Sequence, residues 1–374
     1  MKSNKKILMC LVLIIILINF LVIISNNFTK TFKYNGSTIA LTIDGNSATS
    51  FPTSGKYNVS VDCENASGRW NPKTWKLEIG KITGTVTCDV SFNSSVSNLT
   101  SVVNNNATRD GNGKRYEGKN PNNYIWFNDE LWRIIGNIPV CLKSGCASTE
   151  NRVKIIRNDR LEEIVYNLTG YSSSSPLVWI GSNVQNFLNS CYFGKASTCD
   201  DYCYIIDNNN QNTSVGCDHS SDGIDPNDFY GKMVEVVYFN VGAGDDTYKT
   251  ADNYYTQEIA SHATTASKIG LMYASDWGYA IEGYSDILSA ETDYNNDWFF
   301  SKLSDKNWLL SNGFEWTMTA HSSTYLVRIS DWNVLDKSSA RALGYTIRPV
   351  LYLKSDVYVV SGTGTQVDPY RIGM

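Results

Sequence analysis

The stretch Tyr124-Ile-Trp-Phe-Asn-Asp-Glu-Leu-Trp-Arg-Ile-Ile135 consists of two apolar runs around a short polar turn. Aromatic and β-branched residues flank Asn128-Asp129, so the stretch predicts a β-hairpin. Val153 to Ile156 adds a strand, and Ser182-x-x-Gln185 reads as a capping box leading into a short helix with Val184, Phe187 and Leu188. Met233 to Phe239 and Ile269 to Tyr273 read as strands. Asp297 is a candidate cap for a helix carrying Trp298, Phe299 and Leu303, with Gly313 as a stop beyond Trp308 and Leu309. Tyr345 to Leu353 is a late strand in which Pro349 implies an edge or a bulge. This mixture predicts an α+β unit, richer in strand than helix, over residues 113–374.

Upstream, four short alternating runs predict a separate small unit over residues 36–92. Ile39, Leu41 and Ile43 share one face. Tyr57, Val59, Val61 and Cys63 share a second, Trp75, Leu77 and Ile79 a third, and Val86, Cys88, Val90 and Phe92 a fourth. Asp44-Gly45, Asn71-Pro72, Gly80 and Gly84 supply turns. The pattern predicts an all-β, Ig-like sandwich. Cys63 and Cys88 fall on the apolar parity of their strands, so a bridge between them would staple a core of limited size. Residues 93–112 are rich in Ser, Asn, Val and Thr without a period, and read as a linker.

Residues Ile7 to Ile24 are uncharged and apolar except for Asn19. A helix of this length spans about 27 Å, close to the roughly 30 Å of bilayer hydrocarbon. Lys2, Lys5 and Lys6 precede it, which places the N-terminus in the cytoplasm and the rest of the chain outside. The expectation is an N-terminal transmembrane helix over residues 1–26, with membrane lipid as its partner. A cleaved signal peptide is the alternative, although Ser25-Asn26-Asn27-Phe28 matches a cleavage site poorly. Both place the folded units on the same side. Cys10 lies in the apolar run. The remaining cysteines, Cys63, Cys88, Cys141, Cys146, Cys191, Cys199, Cys203 and Cys217, form an even set, which in an oxidising compartment reads as disulfides. Cys141 and Cys146 flank a turn and suit a local bridge. Spacing leaves three connectivities open among the last four.

A net charge of -5 argues against nucleic acid as a partner. The only histidines are His219, His262 and His321, and no H-E-x-x-H, G-x-S-x-G or G-x-G-x-x-G motif occurs. Gly113-x4-Gly118-Lys119 approaches a phosphate loop, but Asn120 stands where a magnesium-binding hydroxyl belongs. Cys199, Cys203, Cys217 and His219 are the residue types of a zinc site, for which disulfides are the plainer reading. Asp218, Asp222, Asp225 and Asp228 lack the order of a calcium loop. No cofactor or metal is expected. The 10 Trp and 23 Tyr are the more informative signal. Most fill cores, and Trp126, Trp132, Trp277 and Trp316 sit in apolar runs. Trp332 lies in Arg328-Ile-Ser-Asp-Trp-Asn333 among polar neighbours, where a ring can face a sugar or a peptide. Tyr325, Arg328, Asp331, Trp332 and Asn333 are therefore the candidate ligand-binding residues.

Several stretches resemble, in order, a domain family of surface proteins from low-GC, often gut-dwelling, bacteria. They are residues 124–135, Ile269-Gly-Leu-Met-Tyr-Ala-Ser-Asp-Trp-Gly-Tyr-Ala280, Trp316-Thr-Met-Thr, Ile347-Arg-Pro-Val-Leu-Tyr-Leu-Lys-Ser-Asp356 and Ser361-Gly-Thr-Gly-Thr-Gln-Val-Asp-Pro-Tyr370. Trp70 and Trp75 between Cys63 and Cys88 resemble the small β domain that often precedes it. The resemblance implies a C-type-lectin-like or formylglycine-generating-enzyme-like α+β fold with a loop-rich binding face. It carries no function by itself. The enzyme branch's late cysteines are missing after Cys217, and of the calcium-lectin signature only Asp331-Trp-Asn333 is present. A membrane-tethered adhesion module for glycan or protein ligands is the expected function. An extracellular carboxylate hydrolase and a purely structural envelope protein are the alternatives.

Overall fold

A computed structural model describes residues 37–167, 179–206, 211–241, 250–260, 264–283, 305–310, 313–321, 325–330, 335–340 and 344–374. The apolar run at 7–24, Cys10 and the helix expected at Asp297 lie outside the described residues. Among those described, 42% are in strand and 14% in helix, and no helix is long and apolar enough to cross a membrane. The expectation of an α+β fold is thereby corrected to a mainly β fold, while the expected transmembrane helix falls outside the described residues. The physical reason is compositional. Val, Ile, Thr and Tyr suit pleated, half-buried surfaces, and frequent Asn, Ser and Gly stop helices before they gain length.

The small unit holds β1 (Thr38–Ile43), β2 (Asn46–Ser47), β3 (Asn58–Glu64), β4 (Ser67–Asn71), β5 (Lys76–Gly80) and β6 (Thr87–Asn93). It is one sheet of order β2-β1-β6-β3, with β1 parallel to β6, backed by the β4–β5 ribbon. An Ig-like pair of packed sheets is therefore not what forms. Cys63 and Cys88 are directly opposed in register and bridged, so the disulfide ties neighbouring strands of the same sheet. Leu41, Val59, Val90 and Phe92 point inward, and Trp70 of the ribbon meets the Phe92 ring edge-on at 4.8 Å. Ser60, Asp62, Asp89 and Ser91 point to solvent.

The segment read as a linker is built into the fold. Strand β7 (Ser97–Asn98) leads into helix α1 (Leu99–Asn106), where the Asn98 side chain accepts from the Thr100 N–H at 2.8 Å. Leu99 and Val103 of α1 are buried in the main core. Apolar residues four apart need only one helical face, which is why so short a stretch docks without showing a period.

The larger unit continues with β8 (Arg109–Asp110), β9 (Lys114–Arg115), β10 (Tyr124–Phe127), β11 (Glu130–Cys141), β12 (Thr149–Arg157) and β13 (Glu163–Ile164). Next come α2 (Asn183–Asn186), β14 (Tyr204–Ile206), β15 (Asn212–Ser214), β16 (Val237–Asn240), α3 (Ala251–Ala260), β17 (Thr264–Ser267), β18 (Ile269–Gly270) and α4 (Ala274–Tyr279). The chain closes with β19 (Glu315–Ala320), β20 (Tyr325–Ile329), β21 (Leu335–Ser339), β22 (Tyr345–Thr346), β23 (Val350–Tyr352), β24 (Tyr358–Ser361) and β25 (Arg371–Gly373). The main sheet runs β17-β16-β11-β12-β23-β18, with β10 and β9 also on β11. A second sheet runs β13-β22-β19-β20-β21. Strand β24 pairs with β7 and β25, and its Tyr358 and Val360 pack into the core of the small unit.

The expected hairpin forms as β10–β11, with Asn128 and Asp129 both at positive φ (54° and 62°). This is the two-residue turn whose twist matches that of the strands. Ser182 caps α2 by accepting from the Gln185 N–H at 3.0 Å. Cys141 bridges Cys146, Cys191 bridges Cys199 and Cys203 bridges Cys217, which resolves the open connectivity. The glycine-rich 113–119 segment forms no phosphate cradle. It supplies β9, and Lys119 pairs with Asp305.

The long strand β11 carries a bulge at Ile135, between the pairs Ile134–Ile155 and Gly136–Lys154. Gly136 also pairs with Arg115, and Lys154 with Tyr352. One row thus crosses four strands: Arg115, Gly136, Lys154, Tyr352. A Cβ on Gly136 would lie 2.3 Å from the Lys114 carbonyl oxygen. Gly136→Ala is therefore expected to force β9 away from β11 and to destabilise the protein by about 1–3 kcal/mol. Urea unfolding midpoints of the two proteins check this.

Candidate functional site

The β19–β22 sheet carries the candidate ligand residues. Arg328 stands on β20, opposite Trp316 on β19 and Asp336 on β21. Its guanidinium lies 4.2 Å from the Phe314 ring centroid and 4.8 Å from that of Tyr345. One amine donates to Asp336 Oδ2 at 2.8 Å and the other to the Tyr345 hydroxyl. Ser338 Oγ lies 3.2 Å from that same hydroxyl. The Tyr345 ring in turn covers buried Trp316, centroid to centroid 4.5 Å. Cross-strand neighbours on one face are what a pleated sheet brings together.

Phe314, Arg328, Asp336 and Tyr345 are all half-buried, with part of each reaching solvent. Tyr325, at the start of β20, is 44% exposed, with its ring 6.5 Å from that of His321. The structure thus places Arg328 and Tyr325 on the same strand. Asp331, Trp332 and Asn333 lie outside the described residues, in the connection from β20 to β21. Phe314, Asp336 and Tyr345 were not legible as partners of Arg328. They sit on other strands or their flanks, and only strand register makes them neighbours. The face offers aromatic surface, a fixed cation, a carboxylate and hydroxyls. Those groups suit recognition, and the one acid at its centre is already bound to Arg328.

A second polar centre surrounds His219, which follows the Cys203–Cys217 bridge. The imidazole is buried, edge-on to Phe187 at 5.2 Å and Tyr192 at 5.6 Å. Its Nδ1 lies 2.9 Å from Asp222 Oδ1, and its Nε2 lies 3.5 Å from Glu162 Oε2. Arg157 joins Asp222 to Glu130, which also accepts from the Tyr192 hydroxyl at 3.2 Å. Burial by itself pulls the imidazole down. The hydrogen bond to Asp222, with the charges of Asp222 and Glu162, outweighs it and raises His219 to about 9. The same contact lowers Asp222 and Glu162 against the upward pull of burial. Cys199, Cys203 and Cys217 are all in bridges, so the zinc-type spacing is taken up by covalent bonds. Among the described residues no cluster of three or more His, Cys, Asp or Glu side chains could hold a metal.

A cavity of about 260 Å³ lies on the β4–β5 ribbon. It is lined by Ser67, Gly68, Arg69, Glu78, Ile79 and Gly80. Its one carboxylate, Glu78, is tied to Arg69 at 2.5 Å.

Because His219 titrates higher folded than unfolded, the stability it contributes is fully present below its ordinary value near 6.5 and fades as pH rises toward 9. Unfolding free energy is expected to fall by on the order of 2 kcal/mol between pH 6 and pH 9.5, and His219→Phe is expected to flatten that slope. Denaturant titrations across this pH range provide the measurement. No protein-family model, curated protein or solved structure matches the chain.

Proposed function

We propose that this chain is an exported binding protein whose ligand face is the half-exposed aromatic and charged surface around Arg328, Phe314 and Tyr345, and whose ligand is a glycan. The carrying observation is the Arg328 guanidinium held between two rings and bonded to Asp336. A sugar presents an apolar ring face and hydroxyl edges. The first suits partly exposed aromatic rings, and the second suits a fixed guanidinium, a carboxylate and hydroxyls. Tyr325, an odd number of positions from Arg328 on the same strand, points to the other side of the sheet and is not part of this face.

The export reading rests on covalent chemistry. Four disulfides use every cysteine of the folded region, and such bonds persist in oxidising compartments. The uncharged 7–24 stretch is the element that would direct the chain to a membrane. A hydrolase reading needs two acids with separated proton affinities in one concave site. Neither the Arg328 face nor the ribbon cavity supplies such a pair. A purely structural role is less well supported, because 44% of Tyr325 is left in water.

Binding of the purified chain to an array of glycans and surface-protein peptides tests the proposal. Arg328→Ala should weaken the best glycan about 10- to 100-fold, the scale of a lost charged hydrogen bond. Tyr345→Phe should keep the stacking and weaken it less. Binding to peptides alone would redirect the proposal to a protein ligand. A silent array, or full affinity in Arg328→Ala, would sink it.

A further inference from the structure

The row across the main sheet ends in a pair of groups set to react with each other. Lys154 Nζ lies 2.5 Å from Asp276 Oδ2, and both side chains are 1% exposed. We propose that Lys154 and Asp276 condense into an intramolecular isopeptide bond once the protein has folded.

Four features of the surroundings support this. First, the pair is dry. Tyr273 and Tyr352 cover the lysine, with their ring centroids 4.6 Å and 5.4 Å from Nζ. Burial lowers Lys154 against the pull of Asp276, which favours the free amine that attacks. Second, the two carboxylate oxygens are held differently. Arg115 Nη1 donates to Oδ1 at 2.8 Å, while the Tyr273 backbone N–H donates to Oδ2 at 2.9 Å. Attack by Nζ on Cγ drives negative charge onto Oδ1, where the guanidinium is already aimed. Oδ2, which touches the amine, is the oxygen that leaves.

Third, a second buried acid stands nearby. Glu258 of α3 is fully buried and accepts from the Ser275 N–H at 3.2 Å, the Ser275 hydroxyl, and Thr319 Oγ1 at 2.6 Å. Burial and the charge of Asp276 push it up to about 7, although those hydrogen bonds oppose the rise. It acts as a positioning residue, holding Ser275, the residue just before Asp276, through these bonds. Fourth, the ion pair is costly where it stands. Desolvating two charges costs several kcal/mol for each ion, and condensation removes both. A preset contact also supplies an effective molarity of about 10⁵ M or more.

The atoms balance without another reagent. Nζ bonds to Cγ and the Cγ–Oδ2 bond breaks. One ammonium proton first passes to Oδ2 and frees the amine, a second follows as that oxygen leaves as water, and the third stays on the amide nitrogen. Arg115 then donates to the amide oxygen. The link would join β12 to the first turn of α4, across 122 positions of sequence.

The test is peptide mapping of the purified wild-type chain after denaturation, reduction and alkylation. A branched peptide joining the Lys154 and Asp276 segments, lighter by one water than their sum, is expected in nearly every molecule. Linear Lys154 and Asp276 peptides alone would overturn the proposal, and that readout needs no variant to fold. Lys154→Arg and Asp276→Ala should each abolish the branched peptide. Glu258→Gln should lower its yield, and an unchanged yield would remove Glu258 from the scheme.

Discussion

Asp276 carries two cations at once, and the larger unit is arranged around that fact. Arg115 comes from β9 and Lys154 from β12, and the acid itself sits in the first turn of α4. Gly136 lies between the two cations in the row, with no side chain to separate them. The bulge at Ile135 sets that row. The Arg115 guanidinium also stacks on Tyr279 at 4.3 Å. Such a buried set is poor evidence of net stability, because desolvation offsets most of the attraction. Its effect is geometric: only one placement of α4 over the sheet leaves no charge unpaired.

Around this polar centre the molecule relies on two further devices. Apolar packing forms one large core and a smaller one, and β24 gives side chains to both. The small unit has few buried residues, and its cross-strand disulfide limits what its unfolded chain can explore. The bridges at 191–199 and 203–217 do the same for a region with little regular structure. There they hold His219 between two carboxylates. A pair of acids keeps that imidazole charged where a solvated one would be neutral, against the effect of its aromatic wall.

The hairpin at 124–135, the cap at Ser182 and the alternating runs of the small unit were legible because each depends on contacts within a few residues. The α+β expectation failed on proportion: the helix expected after Ser182 forms, but the helices stay short and strand dominates the described residues. The Ig-like expectation failed for a different reason. Alternation shows which residues face inward, but not whether the opposing layer is a second sheet or a short ribbon. Of the candidate site, Arg328 and Tyr325 stood out as polar or aromatic residues in an unusual context. Their partners Phe314, Asp336 and Tyr345 did not, since pairing between strands leaves no local trace.

The chain by itself determined its local turns, the inward faces of its strands and an even set of cysteines fit for bridging. These follow from side-chain chemistry and backbone conformations acting over a few residues. Only the tertiary structure decided how Cys191, Cys199, Cys203 and Cys217 pair, that residues 93–112 are part of the core, that Arg328 lies between two rings, and that Lys154 meets Asp276. Those contacts join residues that no local turn or alternation pairs, and which of them form depends on how all the layers pack together.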